Sequence, residues 1–203
     1  PEDRAAYARL ARLITLGRRR APKGSCELYP ADILEGGAGL VLLALPPPTL
    51  GAEFAQDLAD WRAALGDRLY LAASRGLGAE DAARLSALAR LARATGAPMV
   101  ATGDVIMHAP TRRMLADVLA CIRLGRTIDA LGRDALPNAE RHLKSGAEMR
   151  ALFREHPAAI AMSLEIAARC RFSLDELRYE YPDEPVPPGM TPQAYLEQEA
   201  WAG

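Results

Sequence analysis

The sequence has little cysteine, few aromatic residues and almost no net charge, and each shortage excludes a class of protein. Its three cysteines, Cys26, Cys121 and Cys170, are odd in number and far apart, so they predict neither a disulfide framework nor a Cys-x-x-Cys metal site. We expect reduced thiols in a cytoplasmic protein. A net charge of −1 gives the whole chain no basic signature for nucleic acid. No apolar run approaches the roughly 20 residues that a membrane span needs.

Several motifs that carry common chemistry are also missing. No glycine-rich loop follows an apolar run, which excludes a P-loop and a dinucleotide-binding fingerprint. No Gly-x-Ser-x-Gly nucleophile motif and no secretory signal peptide is present. The chain begins at Pro1 without methionine and ends at Gly203, and we expect it to be a piece of a longer protein.

Apolar runs alternate with amphipathic segments over the first half of the chain. Runs at 40–45, 69–72 and 99–102 predict strands, and the first of them, LVLLAL, is typical of a strand buried on both faces. The segments 52–65 and 79–95 have helical periodicity. This β-α-β-α-β order predicts an α/β fold with a parallel sheet.

The stretch 97–125 contains two candidate functional residues at the end of the third predicted strand. Asp104 follows that strand and His108 lies four residues later, where parallel folds collect functional groups. An acid and an imidazole there could bind a metal. The alternative is an Asp104 that accepts N–H bonds of a turn and a His108 that caps a helix or faces solvent. An amphipathic helix follows, and its apolar stripe consists of Leu115, Val118, Leu119 and Ile122.

A basic segment closes the first predicted helix, which we expect to end at Gly17. Its cations either complement the negative helix C-terminus or form a small phosphate-contacting patch, and both interpretations are open. The cations are Arg18, Arg19, Arg20 and Lys23.

Beyond residue 125 the sequence has no further strong strand pattern. Ser145 and Glu148 have the spacing of a capping box and begin a predicted helix, with another helix after it. His142 and His156 are isolated, and we expect ordinary surface or capping roles for them. A proline-rich, extended linker follows at 181–189.

The last predicted helix runs from Pro192 to Trp201 and is capped by Thr191. Its partner surface is expected to lie outside this sequence.

Three phrases resemble one protein family. ATGDVIMHAP followed by LADVLACIRLG is similar to the stretch that ends the PHP domain of bacterial C-family replicative polymerase α subunits. PEDRAAYARLARLITLGRRRAPKGSCEL resembles the early PHP region of the same proteins, in particular their error-prone, damage-inducible branch. The run from GAEMRALF to EQEAWAG resembles the segment that joins this domain to the polymerase palm, and RYEYPDEPVPPG again favours the error-prone branch. The resemblance covers essentially the whole chain.

The resemblance implies a partial PHP-type distorted β/α barrel followed by a mostly helical C-terminal segment. It divides the chain into the C-terminal part of a PHP domain (1–125), a helical connector towards the palm (126–181), and a proline-rich linker with a terminal helix (182–203).

The resemblance also implies a divalent metal, Mg, Mn or Zn, in the parent family. Asp104 matches the acid of the family's last Asp-x-His motif, but Ile106 takes the place of its histidine and His108 comes two residues late. Another motif histidine would fall near 74–76, where none exists. We therefore expect no cofactor in this fragment, name no catalytic residue, and keep Asp104 and His108 as metal candidates.

The function implied is a fragment of an error-prone, translesion DNA polymerase, a nucleotidyltransferase that acts on DNA with accessory proteins. Family polymerase chemistry uses three aspartates in the palm, beyond Gly203, so this portion is expected to be structural or accessory. The alternatives are a metal-dependent phosphoesterase or 3′-5′ proofreading exonuclease, and a binding module for DNA or a partner protein. Because an incomplete barrel leaves strand edges open, we expect the fragment to self-associate.

Overall fold

Three short parallel strands form the centre of the structure. The computed structural model describes residues 1–178 and 185–203. Strands β1 (Leu42–Ala44), β2 (Leu69–Ala73) and β3 (Met99–Ala101) pair in the order β1-β2-β3. All residues of β2, the central strand, are buried. The predicted α/β fold with a parallel sheet is confirmed.

Helices connect the strands and make up most of the remaining regular structure. The segments predicted at 52–65 and 79–95 are helical, and each boundary lies within two residues of the prediction. The helices are α1 (Arg4–Arg20), α2 (Pro30–Gly36), α3 (Ala52–Leu65), α4 (Asp81–Thr95), α5 (Arg113–Leu124), α6 (Gly146–Leu152), α7 (Pro157–Arg169) and α8 (Pro192–Ala202).

The main hydrophobic core includes Leu69, Leu71 and Ala73, which share one face of β2, and Tyr70 and Ala72 on the other face are buried as well. Helices α3 and α4 pack on the sheet, and α7 packs against β3. Side chains with almost no exposure in this core include Leu58, Leu71, Leu88 and Phe153. A smaller cluster joins α1 to the segment before β1 through Ala6, Leu13 and Leu40. The sheet is therefore held from both sides, as the alternating sequence predicted.

Helix α1 continues through the glycine at which we expected it to end. Gly17 is buried, and a side chain there would collide with Cys26 and Leu28. The glycine therefore allows a close approach of a neighbouring segment instead of terminating the helix.

Strand β1 is shorter and more exposed than its sequence predicts. It spans three residues, Leu43 is largely exposed and Leu45 is 75% exposed. Within the described residues β1 has a strand partner on one side alone, β2. The expectation that this strand is buried on both faces is therefore wrong for the chain as it stands.

Helix α5 forms as predicted, but its apolar stripe faces solvent. Ile122 is 73% exposed, whereas Asp117 and Cys121 are buried. The Asp117 carboxylate accepts the Leu136 N–H at 3.0 Å, so α5 turns its polar side toward the segment that follows it. Periodicity identified the stripe but not the side of the helix that packs. The exposed stripe consists of Met114, Leu115, Val118, Leu119 and Ile122.

The chain divides into two compact units, Pro1–Phe172 and Ser173–Gly203. In the second unit, Thr191 caps α8 as predicted, because its hydroxyl accepts the Ala194 N–H at 3.2 Å. The first residues of the predicted linker, 181–184, lie outside the described residues, so the linker and the boundary there stay predictions. No helix in the described ranges is long and apolar enough to cross a membrane.

Candidate functional site

The loops that leave the carboxyl ends of the three strands form the candidate site. Asp104 lies three residues after β3 and has a left-handed backbone, with a φ of 44°. Aspartate tolerates this conformation better than most residues, although it carries some strain there. Strained residues at the carboxyl edge of a parallel sheet often mark functional positions.

The Asp104 side chain is paired with an arginine from a distant part of the chain. Arg141 Nη2 lies 3.0 Å from Asp104 Oδ1, and Arg141 Nε donates to the Asp104 carbonyl at 3.0 Å. In the described residues, the Asp104 carboxylate accepts no backbone N–H. The turn-capping role that we considered is therefore replaced by a guanidinium pair.

Arg141 is held in place by backbone pairing with the same loop. The Ile106 N–H donates to the Arg141 carbonyl at 2.9 Å, and the Leu143 N–H donates to the Met107 carbonyl at 2.9 Å. These bonds create an isolated bridge between Met107 and His142. The chain after residue 125, which shows no strand pattern, thus still adds an extended segment beside the Asp104 loop.

Of His108 and His142, only His142 departs from its sequence expectation, which was an ordinary surface or capping role. His108 is exposed, whereas the His142 side chain is mostly buried. His142 Nδ1 lies 2.8 Å from the Ala139 carbonyl, and Nε2 lies 3.9 Å from Glu148 Oε1. His142 thus belongs to the packing around this loop.

These residues do not fit a metal site by themselves. No group of three His, Cys, Asp or Glu side chains that could hold an ion exists within 1–178 and 185–203. Divalent ions need several converging oxygen or nitrogen ligands. Asp104 remains a metal-ligand candidate on the family match alone, and His108, which does not match the motif, only on its place four residues later.

The loop after β2 contains a second arginine pair. The Arg75 guanidinium bonds to the Asp81 carboxylate, and its Nη1 donates to the Leu152 carbonyl at 2.7 Å. Asp81 also accepts the Gly76 N–H at 2.8 Å. Arg75 is in the region where the resemblance would place a metal-binding histidine, and its cation joins the loop to α4 and α6.

The loop after β1 is held by a third arginine. The Arg84 guanidinium donates to the carbonyls of Pro46, Pro47 and Pro48 at 3.3, 2.7 and 2.5 Å. Three consecutive prolines contribute no backbone N–H donor to this segment, and the Arg84 guanidinium supplies the donors to its carbonyls. We call Arg75, Arg84 and Arg141 the strand-end arginines, because each one fixes the loop after one strand.

The predicted basic patch is only partly available for a ligand. Arg20 bonds to both oxygens of Asp32, at 2.5 and 3.0 Å, and lies over the ring of Tyr29. The bond from Arg20 lowers the pKa of the Asp32 carboxyl below its ordinary value. Arg18, Arg19 and Lys23 are exposed and, among the described residues, lie within 4 Å of no carboxylate.

A half-buried network at the amino ends of the strands was not predicted. Arg169 Nη2 lies 2.8 Å from Glu2 Oε1, and Nη1 lies 2.9 Å from the Tyr70 hydroxyl. Tyr70 in turn donates to Glu165 at 3.1 Å. Burial opposes the charge of Arg169, but these partners raise its pKa above the ordinary arginine value. No local pattern marks this network, because Glu2 and Arg169 are 167 residues apart.

The parallel sheet, its connecting helices and the strand-end arginines define an α/β unit. The candidate site lies at the carboxyl ends of its strands and is built from charged loops. No model of a protein family matches the chain. It is similar to proteins named error-prone DNA polymerase, with 53% identity to that of Ruegeria pomeroyi over 98% of this chain and 18% of the relative. The polymerase of Bradyrhizobium sp. is 46% identical over 100% of this chain and 18% of the relative. Error-prone DNA polymerase 1 of Agrobacterium fabrum is 45% identical over 99% of this chain and 18% of the relative.

Over nearly its whole length the chain is similar to a segment of the error-prone DNA polymerases, so the resemblance to the error-prone branch is confirmed, whereas the PHP-type assignment stays a prediction. The chain spans about a fifth of the length of the curated relatives that it matches, 18% in each of the three.

Proposed function

We propose that this chain is a non-catalytic, PHP-type portion of an error-prone DNA polymerase. The parent protein would be a cytoplasmic DNA-directed nucleotidyltransferase that synthesises DNA during replication and damage repair, with a divalent metal and accessory proteins. The names of the relatives support the polymerase assignment. The role of this portion would be to support the rest of the polymerase.

The observation that carries the non-catalytic assignment is the pairing of Asp104 with Arg141. A carboxylate that binds a hard cation offers its oxygens to that cation. Here a guanidinium takes one of those oxygens and also the backbone carbonyl of the same residue. Arg75 likewise pairs with Asp81 in the loop after β2. Arginine side chains therefore provide the positive charge at the carboxyl ends of these strands, where a metal ion would otherwise do so.

The corresponding experiment measures two activities of the purified 203-residue chain. We expect no template-dependent primer extension and no release of nucleotides from a 3′ end with Mg²⁺, Mn²⁺ or Zn²⁺. Asp104→Asn serves as the control for trace nuclease, since a contaminant is insensitive to it. Primer extension by the chain would contradict the proposal.

The second candidate function is a metal-dependent phosphoesterase or 3′-5′ proofreading exonuclease. The left-handed backbone of Asp104 at the carboxyl edge favours it, because such strain is typical of functional sites. A metal-dependent exonuclease activity that Asp104→Asn abolishes without loss of stability would establish this candidate instead.

We also infer that the sheet is completed into a PHP-type barrel by strands outside this sequence. The exposed Leu43 and Leu45 at the outer side of β1 support this inference, because a two-sided apolar strand usually has cover on both faces. In isolation the uncovered strand and the apolar face of α5 would drive self-association. Light scattering is expected to give a species larger than the 21.9 kDa monomer, and Ile122→Glu to shift it toward the monomer. A monomer at all concentrations would contradict self-association.

A further inference from the structure

Helix α1 concentrates positive charge in a chain that has almost none overall. Its 17 residues contain no acid and six basic side chains. Since the whole chain carries −1 and α1 contributes +6, the remaining residues sum to −7. The balanced total therefore hides one strongly basic helix. Its basic side chains are Arg4, Arg9, Arg12, Arg18, Arg19 and Arg20.

Three of these arginines lie together on the outer side of the helix. The inner side is marked by the buried Leu13 and Gly17. At about 3.6 residues per turn, positions seven apart differ by about 20° around the helix axis and positions eight apart by about 80°. Arg4, Arg12 and Arg19 therefore lie within one sector of about 80° on the side away from Leu13 and Gly17, and all three are exposed. We call them the outer row.

The row is spaced and shaped to approach an extended polyanion. At about 1.5 Å per residue, Arg4 and Arg12 are about 12 Å apart along the axis, and Arg12 and Arg19 about 10.5 Å. Short residues, including Ala5 and Ala8, lie between them. Because these side chains are short, the backbone of a polyanion can approach the helix closely between the guanidinium groups.

The outer row has no internal ion-pair partner among the described residues, and neither does Arg18, whereas Arg9 and Arg20 are both bonded. Arg9 donates to the Ala38 carbonyl at 2.6 Å, and Arg20 is paired with Asp32. In the described part of the chain, no carboxylate lies within 4 Å of the guanidinium nitrogens of Arg4, Arg12 or Arg19. The guanidinium groups of Arg4, Arg12 and Arg19 are therefore available for an external anion.

We propose that the outer face of α1 binds the phosphate backbone of duplex DNA through Arg4, Arg12 and Arg19. This rests on the proposed function only in taking DNA as the polyanion. The spacing of about 12 Å is close to the width of the major groove, so neighbouring arginines can contact phosphates on opposite strands. Contacts of this kind fix position without reading sequence.

The surroundings of the row favour duplex DNA over the other polyanions. Single strands are bound by stacking on exposed aromatic rings, but Tyr7, the one aromatic residue of α1, stacks on Phe172 with ring centroids 4.6 Å apart. A membrane-surface helix inserts a continuous apolar face, whereas Leu10 and Leu13 of α1 pack with Leu40 and leave only Ile14 and Leu16 as large exposed apolar residues on this helix. The −7 charge of the remaining residues directs DNA toward α1.

The test measures the affinity of the full 203-residue chain for a fluorescein-labelled duplex by anisotropy over a series of salt concentrations. The logarithm of the affinity falls against log[salt] with a slope of about −0.9 per phosphate contact. The variant R4Q/R12Q/R19Q should therefore lose about 2.7 from this slope. The matched control, R90Q/R123Q/R133Q, removes the same charge from exposed arginines outside α1 and should keep the slope.

Several results would overturn the proposal. These are equal weakening in both triple variants, no binding of the duplex at low salt, tighter binding of a single strand of the same sequence, or binding to phosphatidylserine vesicles in place of DNA. Circular dichroism checks that both variants are folded. The primer-extension and exonuclease assays test the proposed function separately, since loss of the α1 row changes neither assay's expected result.

Discussion

Arginines bond at both ends of the parallel strands, but the Arg169 network at the amino end and the Arg141–Asp104 pair at the carboxyl end differ in how much water reaches them. At the amino edge, Arg169 is 21% exposed and meets Glu2, a backbone carbonyl and the Tyr70 hydroxyl at once. At the carboxyl edge, the Arg141–Asp104 pair is 39% and 55% exposed. The same chemical pair is therefore placed in two different dielectric environments.

This difference in exposure predicts that the Arg169 network affects the stability of the fold and that the Arg141–Asp104 pair affects the conformation of a loop. A charged hydrogen bond with little solvent contributes more than an exposed pair, and removing Arg169 takes away the donor that Glu2 and the Tyr70 hydroxyl share. An exposed pair contributes about 0–1 kcal/mol. The amino edge, which joins the chain's first residues to α7, should thus set the stability of the fold, whereas the Arg141 pair should set the conformation of one loop.

The largest expected effect is the loss of the amino-edge network. Arg169→Ala should lower the free energy of unfolding by about 2–3 kcal/mol, because Glu2 and the Tyr70 hydroxyl lose their shared donor. Urea unfolding measures it. The control is Arg154→Ala, which removes an exposed arginine 3.9 Å from Glu155 and should change stability by less than about 0.5 kcal/mol. An equal change in the free energy of unfolding for Arg169→Ala and Arg154→Ala would show that the Arg169 network contributes no more than an exposed arginine.

A somewhat smaller loss is expected at the one well-buried pair of the carboxyl edge. Arg75→Ala leaves Asp81, whose side chain is 9% exposed, without its cation, and should cost about 1.5–2 kcal/mol in urea unfolding. Arg75→Lys should recover only part of the loss, since one ammonium cannot reproduce the planar fork that reaches both Asp81 and the Leu152 carbonyl. Full recovery by lysine would show that charge alone suffices.

Local sequence patterns predicted the elements of this fold and missed the contacts between them. The caps at Ser145 and Thr191 were predictable because the hydroxyl and the N–H that it accepts lie three residues apart. The same local reasoning could not find the bond between Glu2 and Arg169, since distance along the chain carries no signal of it. Periodicity likewise gave the stripe of α5 without the neighbour that decides which side packs.

The candidate site was predicted in position but not in composition. Asp104 lies at the strand end where its sequence context placed it. Its partner Arg141 comes from a segment with no strand pattern, and becomes apparent only through the backbone bonds around Met107.

A small effect is expected at Asp104, where charge and backbone conformation can be separated. Asp104→Asn keeps a residue that tolerates a positive φ and removes the exposed pair, so the free energy of unfolding should change by about 0.5 kcal/mol or less. Asp104→Ala adds the cost of alanine in a left-handed conformation and should lose about 0.5–1.5 kcal/mol. A larger loss for the asparagine variant than for the alanine variant would make the charge the dominant factor.

The smallest expected effect is a pH dependence at the carboxyl edge, where Glu148 caps α6 beside His142. The Glu148 N–H donates to the Ser145 hydroxyl at 3.2 Å, and the Ser145 N–H donates to the Glu148 carboxylate at 2.7 Å. The Ser145 side chain and then its N–H hold the pKa of the Glu148 carboxyl below the ordinary glutamate value. Because the folded pKa is lowered, the stabilisation is complete above the unfolded pKa and is lost as the pH falls through the folded pKa.

Glu148→Gln tests this because glutamine can still accept the Ser145 N–H but cannot titrate. The wild-type chain should melt at a higher temperature than E148Q near neutral pH, where the carboxylate also interacts favourably with the positive helix N-terminus. The difference in melting temperature should disappear as the pH falls below the lowered pKa of Glu148. In the S145A background, which removes the hydroxyl, the difference between glutamate and glutamine should shrink at neutral pH. A difference in melting temperature that stays constant from neutral to acid pH would show that Glu148 contributes through packing, and that the carboxyl edge has no titrating cap.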